Sequence, residues 1–362
     1  MFAATGSPVQ ARSEAAAPAE SAPTDACGPV DGLKFVCGLK KPEDLVRVPD
    51  TKWLIASGVA PGARLSLVDT TEKVTKPLFT GGPAQIRPDT ALYPHCPGPP
   101  DAAGFAPHGL ALRPGTAPGL YRLYVVSHLA LEGIQVFALD ARGAEPSVTW
   151  TGCVPFPKGM VGNAVTALHD GTILATIRGD IAFKGPKASS SGITVGAVAS
   201  WTPGDAGFRQ IPGTQMFGPN GIEASLDEKE FYVVSVDSGS VLIYSRAHPG
   251  KPVRQSAAPL TSLDNIHWED GHLIAAGKMA DEPACGGTRQ QVVNSGQGIH
   301  DCIRGYAAVE LNPVSMQWRV IAYAEPNPAF DGVATAVPVG NTLWLSSFLN
   351  DRVGYRPLPG TK

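Results

Sequence analysis

The chain of 362 residues has no run of the roughly 18 to 20 consecutive apolar residues that a helix needs to cross a bilayer. It also lacks any cluster of Lys and Arg. With 29 basic against 32 acidic residues and a formal net charge of -3, it has no electrostatic footprint for nucleic acid or an anionic membrane surface. Charge of either sign is scarce, at 17% of residues against 43% hydrophobic, which excludes a disordered polyelectrolyte and leaves enough apolar material for a sizeable core. No CxxC spacing occurs among the six cysteines, so a zinc ribbon is not expected. Residues 1–26 are rich in Ala, Pro and Ser and poor in large apolar side chains. Lacking the apolar stretch of roughly 7 to 15 residues of an intact secretory signal, they read as a flexible leader before one domain spanning 27–362. The expected partner is a small molecule, with neither nucleic acid nor membrane insertion.

What the chain does have is 41 Gly and 34 Pro, distributed between short runs of Val, Ile, Leu, Tyr and Trp, the punctuation of an all-β protein. A unit of roughly 45 to 65 residues recurs: a polar opening and a strand, a turn, an alternating strand, another turn and a third strand. Two units show it best. One runs His108-Gly-Leu-Ala-Leu, Tyr121-Arg-Leu-Tyr-Val-Val-Ser-His, Gly133-Ile-Gln-Val-Phe-Ala-Leu-Asp; the other runs Asn220-Gly-Ile-Glu-Ala-Ser, Glu230-Phe-Tyr-Val-Val-Ser-Val-Asp, Gly239-Ser-Val-Leu-Ile-Tyr-Ser. Further openings are Glu43-Asp-Leu-Val, Asn163-Ala-Val-Thr, Asp264-Asn-Ile-His and Gly332-Val-Ala-Thr. Six openings predict a six-bladed β-propeller, in which small antiparallel sheets repeat around a central metal-binding channel. Insertions at 83–106, 182–193 and 280–303 are expected over one face of the ring, the last as a lid or a surface loop.

In a propeller the first strand of each blade lines the channel, so the opening residues should converge on the axis. Apart from Gly332 they are Glu43, His108, Asn163, Asn220 and the pair Asp264-Asn265, with nothing apolar among them. Carboxylates and amide oxygens in that ratio suit a hard divalent cation, calcium before any other divalent metal, held by Glu43, Asn163, Asn220, Asp264 and Asn265.

The segments Phe105-Ala-Pro-His-Gly-Leu, Leu123-Tyr-Val-Val-Ser-His, Gly218-Pro-Asn-Gly-Ile with Leu226-Asp-Glu-Lys-Glu-Phe-Tyr-Val-Val, and Leu263-Asp-Asn-Ile resemble the serum paraoxonase/arylesterase family. More distantly they resemble the gluconolactonase (regucalcin-like) and strictosidine-synthase-like propellers. The resemblance runs from 37 to 355. It implies a calcium-dependent esterase and lactonase with the five metal ligands above, and with His108 and His128 as a histidine pair acting on the attacking water. Those enzymes bind a second, structural calcium, but one of its carboxylates falls at Ala164, leaving Asp44 and the backbone of Leu110, so a second ion is not expected here. Lys278 stands where the animal enzymes have a pocket histidine.

The expected chemistry is metal-assisted hydrolysis of a lactone or aryl or carboxylic ester, with His108 as base and His128 relaying the proton or orienting the ring. Asp180, Lys278 and Phe348 end their strands and are candidate pocket residues. His95, His169, His248, His267, His272 and His300 show no metal spacing and read as surface or structural. Trp201, Trp268 and Trp344 are expected to fill gaps between blades. The alternatives are a sugar-lactone hydrolase of gluconolactonase type, a metal-free lyase or condensing enzyme of strictosidine-synthase type, and a binding propeller braced by calcium. Cys27 with Cys37 and Cys285 with Cys302 are candidate disulfides, implying a periplasmic or secreted home; free cysteines would imply the cytoplasm.

Overall fold

The second and third strands of each repeat are apolar on both faces, as Trp53–Ala56 and Ser66–Asp69 illustrate with every residue buried. A sheet of such strands must be covered on both sides, and radial stacking does this. The structure, a computed structural model, describes residues 27–101, 105–258, 260–296 and 302–358, so the predicted leader lies outside the described residues. It is an all-β six-bladed propeller. Blade one starts with Leu45–Arg47, blade two with Phe105–Pro114 and blade three with Met160–Ala167. Blade four starts with Pro219–Ala224, blade five with Thr261–Glu269 and blade six with Val333–Val339. The sheets are antiparallel and pair strands in chain order from the axis outward.

Each blade has a fourth strand beyond the three expected, and blade three also carries the two-residue Met216–Phe217 against Val195–Trp201. The fourth strand is the outermost, and in several blades it is short and polar: Val74–Pro77, Arg209–Gln210 and Pro252–Gln255 carry no apolar alternation. In blade six it is the N-terminal Lys34–Cys37, which pairs with Arg352–Pro357 and closes the ring. Hydrophobic burial is concentrated between blades. Six apolar clusters each join two neighbouring blades, such as the one holding Val126 and Ile134 of blade two with Val165 and Ala197 of blade three. Trp201 and Trp344 lie in these layers, stacked on Tyr93 and Tyr355.

Three disulfides join the described residues: Cys27–Cys37, Cys285–Cys302 and a third, Cys96–Cys153. No cysteine among them is free, which indicates an oxidising compartment. The third bond ties the first insertion to blade two, where Tyr93 lies against Gly152. That insertion therefore lies along the blade's outer side, pairing Ile86 with Trp150, whereas the other two insertions meet at the channel mouth, where Arg289 donates to the Ser191 carbonyl at 3.3 Å. The expected clustering holds for two insertions of three.

Candidate functional site

One irregularity repeats around the axis. The register between first and second strands slips at Pro107/Leu110, Gly162/Val165, Pro219/Ile222, Leu263/Ile266 and Val333/Ala336. Each slip leaves two residues unpaired in a β-bulge: His108-Gly109, Asn163-Ala164, Asn220-Gly221, Asp264-Asn265 and Ala334-Thr335. Glu43-Asp44 holds the same place immediately before Leu45. A bulge re-aims the side chain it carries, and five at one level, with Glu43-Asp44, build a ring of functional groups. The sixth blade contributes Ala334 and Thr335 at this level, two residues on from the Gly332 opening, because Val333 still pairs with Ser347.

Glu43, His108, His128, Asn163, Asn220 and Asp264 line the floor of a cavity of about 690 Å³ at one mouth of the channel. Asn265, the other expected ligand, is buried just beneath it. Its amide nitrogen donates to Glu43 Oε1 at 2.8 Å and to Thr335 Oγ1 at 3.1 Å. Lys278 and Phe348 form part of the wall. Asp180 does not, being exposed beyond the end of Ile173–Gly179 and absent from the cavity lining. The strand reaches the cavity at Arg178, and Asp180 lies past its end.

Small second bulge residues let the inner strands approach. A β-carbon on Gly109 would lie 2.6 Å from both the Ala164 α-carbon and the Asn163 carbonyl; one on Gly221 would lie 2.7 Å from the Asp264 carbonyl and the Ile266 nitrogen. Gly221→Ala should therefore push the Asp264-Asn265 bulge away, at a cost of roughly 1–3 kcal/mol from overpacking. In calcium titrations and urea melts of this variant, affinity and stability should fall together. Wild-type values for both would show that the close approach does not hold the bulge.

The electrostatics of the floor are unusual for two carboxylic acids. Burial, with repulsion from Asp44, pushes Glu43 up to about 8, against the donation from Asn265. Burial, with repulsion from Glu43, pushes Asp264 up to about 8. Three oxygens of the ring, Glu43 Oε2, Asn163 Oδ1 and Asn220 Oδ1, are buried without a hydrogen-bond partner. Buried polar atoms are normally satisfied, so three orphaned acceptors lining one cavity, beside two carboxyls whose ionisation burial opposes, fit a bound cation. Among the described residues no three of His, Cys, Asp or Glu cluster as a metal set. The donors here are mainly amide and carboxylate oxygens, the chemistry of calcium rather than zinc.

The second ion's position is filled by protein. Asp44 accepts from the backbone N–H of Leu45 and Leu110 at 2.9 and 2.8 Å, from Thr335 Oγ1 at 2.7 Å, and from His267 Nε2 at 2.9 Å. Burial alone would lower the His267 imidazole, but the Asp44 carboxylate outweighs it and the ring is pushed up to about 9. Asp44 Oδ1 takes three of these donors and Oδ2 the fourth, so protein groups rather than a second metal hold this carboxylate. The signal for His267 was available: it stands two residues past Asn265 on an alternating strand, hence on the same face.

Above the floor the histidines form a directed chain. Glu132 Oε2 lies 2.8 Å from His128 Nδ1, and His128 Nε2 lies 2.8 Å from His108 Nδ1. A carboxylate only accepts, so His128 carries its proton on Nδ1, its Nε2 accepts from His108 Nδ1–H, and the lone pair of His108 falls on Nε2. That nitrogen lies 3.5 Å from Glu43 Oε2 of the ring. Burial, with the Arg178 charge, lowers His108 to about 4, so the ring is neutral at pH 7. Glu132 was missed in the sequence because it lies in the turn after Leu120–Leu129, outside any strand.

Below the Asp44 level the channel continues through Thr166, which donates to Glu223 at 2.8 Å, and Arg113, which bridges both, to a cavity of about 160 Å³ lined by Glu269 and Arg47 at the opposite mouth. Burial pushes Glu269 up to about 7. A carboxyl raised on folding stabilises the fold below its unfolded value, and that contribution is lost as pH rises through about 7. Glu269→Gln should thus be more stable than wild type at pH 8 by about 2–3 kcal/mol, with the difference shrinking towards pH 5. Urea melts at both pH values measure it; a pH-independent difference would contradict the assignment.

No protein-family model and no curated protein matches the chain by sequence. Similar solved structures include a gluconolactonase from Xanthomonas campestris, 14% identical over 90% of this chain and 89% of that one, with a TM-score of 0.53. A luciferin-regenerating enzyme is 12% identical over 91% and 96% of the two chains, with a TM-score of 0.51. A protein described as a putative gluconolactonase is 13% identical over 91% and 93%, also with a TM-score of 0.51. At these identities the likeness is one of fold.

Proposed function

We propose that this propeller is a calcium-dependent hydrolase of lactones and esters, arylesterase-like, working in a periplasmic or extracellular setting. The observation that carries the reading is the meeting, on one cavity floor, of three orphaned buried oxygens with a carboxylate-ordered histidine pair. The gluconolactonase fold likeness and the paraoxonase resemblance of Phe105-Ala-Pro-His-Gly-Leu and Leu263-Asp-Asn-Ile support it.

Glu43, Asn163, Asn220, Asp264 and Asn265 would hold one calcium ion. When bound, that ion supplies positive charge for the oxygen that becomes anionic as an ester carbonyl is attacked. His108 Nε2 takes the proton of a water molecule at the floor. Its Nδ1–H stays on His128 Nε2, so the positive charge that develops on the His108 ring is shared towards Glu132. Asn265 positions Glu43, while the Glu43 carbonyl is held by Ser346 Oγ at 2.6 Å. The cavity, about 690 Å³, has room for a drug-sized substrate.

The reading is tested by assaying purified protein on phenyl acetate and a panel of γ- and δ-lactones with calcium present. Turnover of at least one class is expected. No turnover on any of them would overturn it.

A further inference from the structure

The cavity wall above the floor has a charge that hydrolysis of a neutral substrate does not use. Lys41, Arg178, Lys278, Arg289 and Arg304 all line it, and they come from four separate stretches of the chain. Among the described residues none of the five forms a salt bridge. Lys278 Nζ is buried with no hydrogen-bond partner and lies over the Phe348 ring at 5.6 Å. The Arg304 residue is 7% exposed and rests on three neutral acceptors, the carbonyls of Met279 and Ala280 at 3.4 Å and of Gly287 at 3.0 Å. Arg289 reaches only the Ser191 carbonyl; Asp237, the carboxylate nearest to it in effect, is engaged by the hydroxyls of Ser189 and Ser191. Asp331, which acts on Lys278, accepts from the Gly332 N–H at 2.6 Å.

Cations held away from water on neutral partners are costly to fold. Carbonyl contacts orient a guanidinium but leave its charge uncompensated, and charge in a walled cleft raises the local concentration of an oppositely charged ligand. Glu43 and Asp264 are the carboxylates in the cavity lining. On the proposed reading, on which this inference rests, a dication balances both.

We infer that the wall is an anion subsite, and that the substrate is an ester or lactone carrying a carboxylate beside an apolar body that packs on Ile193, Val236 and Phe348. Arginine pairs with carboxylate bidentately, and Arg289, on the insertion that Cys285–Cys302 closes, spends only its Nε on the Ser191 carbonyl and keeps its two terminal nitrogens for that geometry, with Arg304 adding charge just past Cys302.

Two matched pairs of probes test this on the calcium-loaded protein. For turnover, 4-acetoxybenzoate is compared with its uncharged carboxamide; for binding without chemistry, 4-acetamidobenzoate is compared with its carboxamide by calorimetry. The carboxylate should be favoured roughly tenfold or more in both pairs, and the preference should shrink about tenfold in Lys278→Met and in Arg289→Gln, the latter on the helix Arg289–Ser295 outside the blades. Raising salt should weaken the carboxylate alone. Equal or weaker binding of the carboxylate overturns the subsite, whether or not either ester is hydrolysed. Selective binding with no turnover of either ester overturns the hydrolase reading and leaves the subsite standing.

Discussion

Stripping the protein with chelator should abolish turnover of phenyl acetate and lactones, and added calcium should restore it. The expectation follows from the floor's unbalanced valences. Glu43 Oε2, Asn163 Oδ1 and Asn220 Oδ1 have no protein donor, and burial together with neighbouring carboxylates, Asp44 for Glu43 and Glu43 for Asp264, opposes the ionisation of both acids, which a bound cation would favour. Asn220→Ala removes one orphaned oxygen together with the side-chain hydrogen bond to Asp264, and keeps the backbone carbonyl that Thr176 Oγ1 binds at 2.7 Å. Calcium affinity should fall by roughly a hundredfold or more, beyond the tenfold to hundredfold usual for outer-sphere partners. Calcium at 100 times its Kd should stabilise wild type by about 2.7 kcal/mol and the variant by almost nothing. An Asn220→Ala protein that binds calcium normally would remove the ligand assignment. Calcium-dependent stability without turnover would leave a braced binding propeller.

The second large effect belongs to the histidine chain. His108→Gln retains a polar group of similar reach but has no basic nitrogen, and should lower kcat by roughly 10² to 10⁴ while calcium binding, followed by melting temperature, persists. Glu132→Gln loses the acceptor that orders both tautomers; a drop of roughly tenfold to a hundredfold is expected. Its pH profile should differ in a defined direction. The Glu132 charge favours protonated His108, so the variant's acid limb should move to lower pH. A merely structural Glu132 would change stability and leave the limb in place. An unchanged rate and pH profile in His108→Gln would refute its role as base.

His267 and Glu132 show where sequence reading stopped. Both sit at sites of consequence, yet each depends on a partner far away in the chain or on a turn without periodicity. His267 meets Asp44 across 223 positions, and nothing in the spacing of either residue announces the pair. The third disulfide is of the same kind: Cys96 and Cys153 are 57 residues apart and flank no shared loop. The outer strands escaped because Arg209–Gln210 and Pro252–Gln255 are paired by backbone alone, with side chains that solvate rather than pack.

By itself the sequence determined the six-fold repeat, because every blade must bury the same two apolar strand faces, and it determined which polar residues open the blades. It carried the idea of one cation, since oxygen donors recurred where packing wanted none. Only the tertiary structure decided how those openings face inward. The bulges turn His108, Asn163, Asn220 and Asp264 onto one floor with Glu43 and place Asn265 beneath them, and ring closure brings the His267 imidazole to Asp44. Strand patterns are local and repeat, whereas register slips and convergence on an axis are set by how six sheets fit around one another.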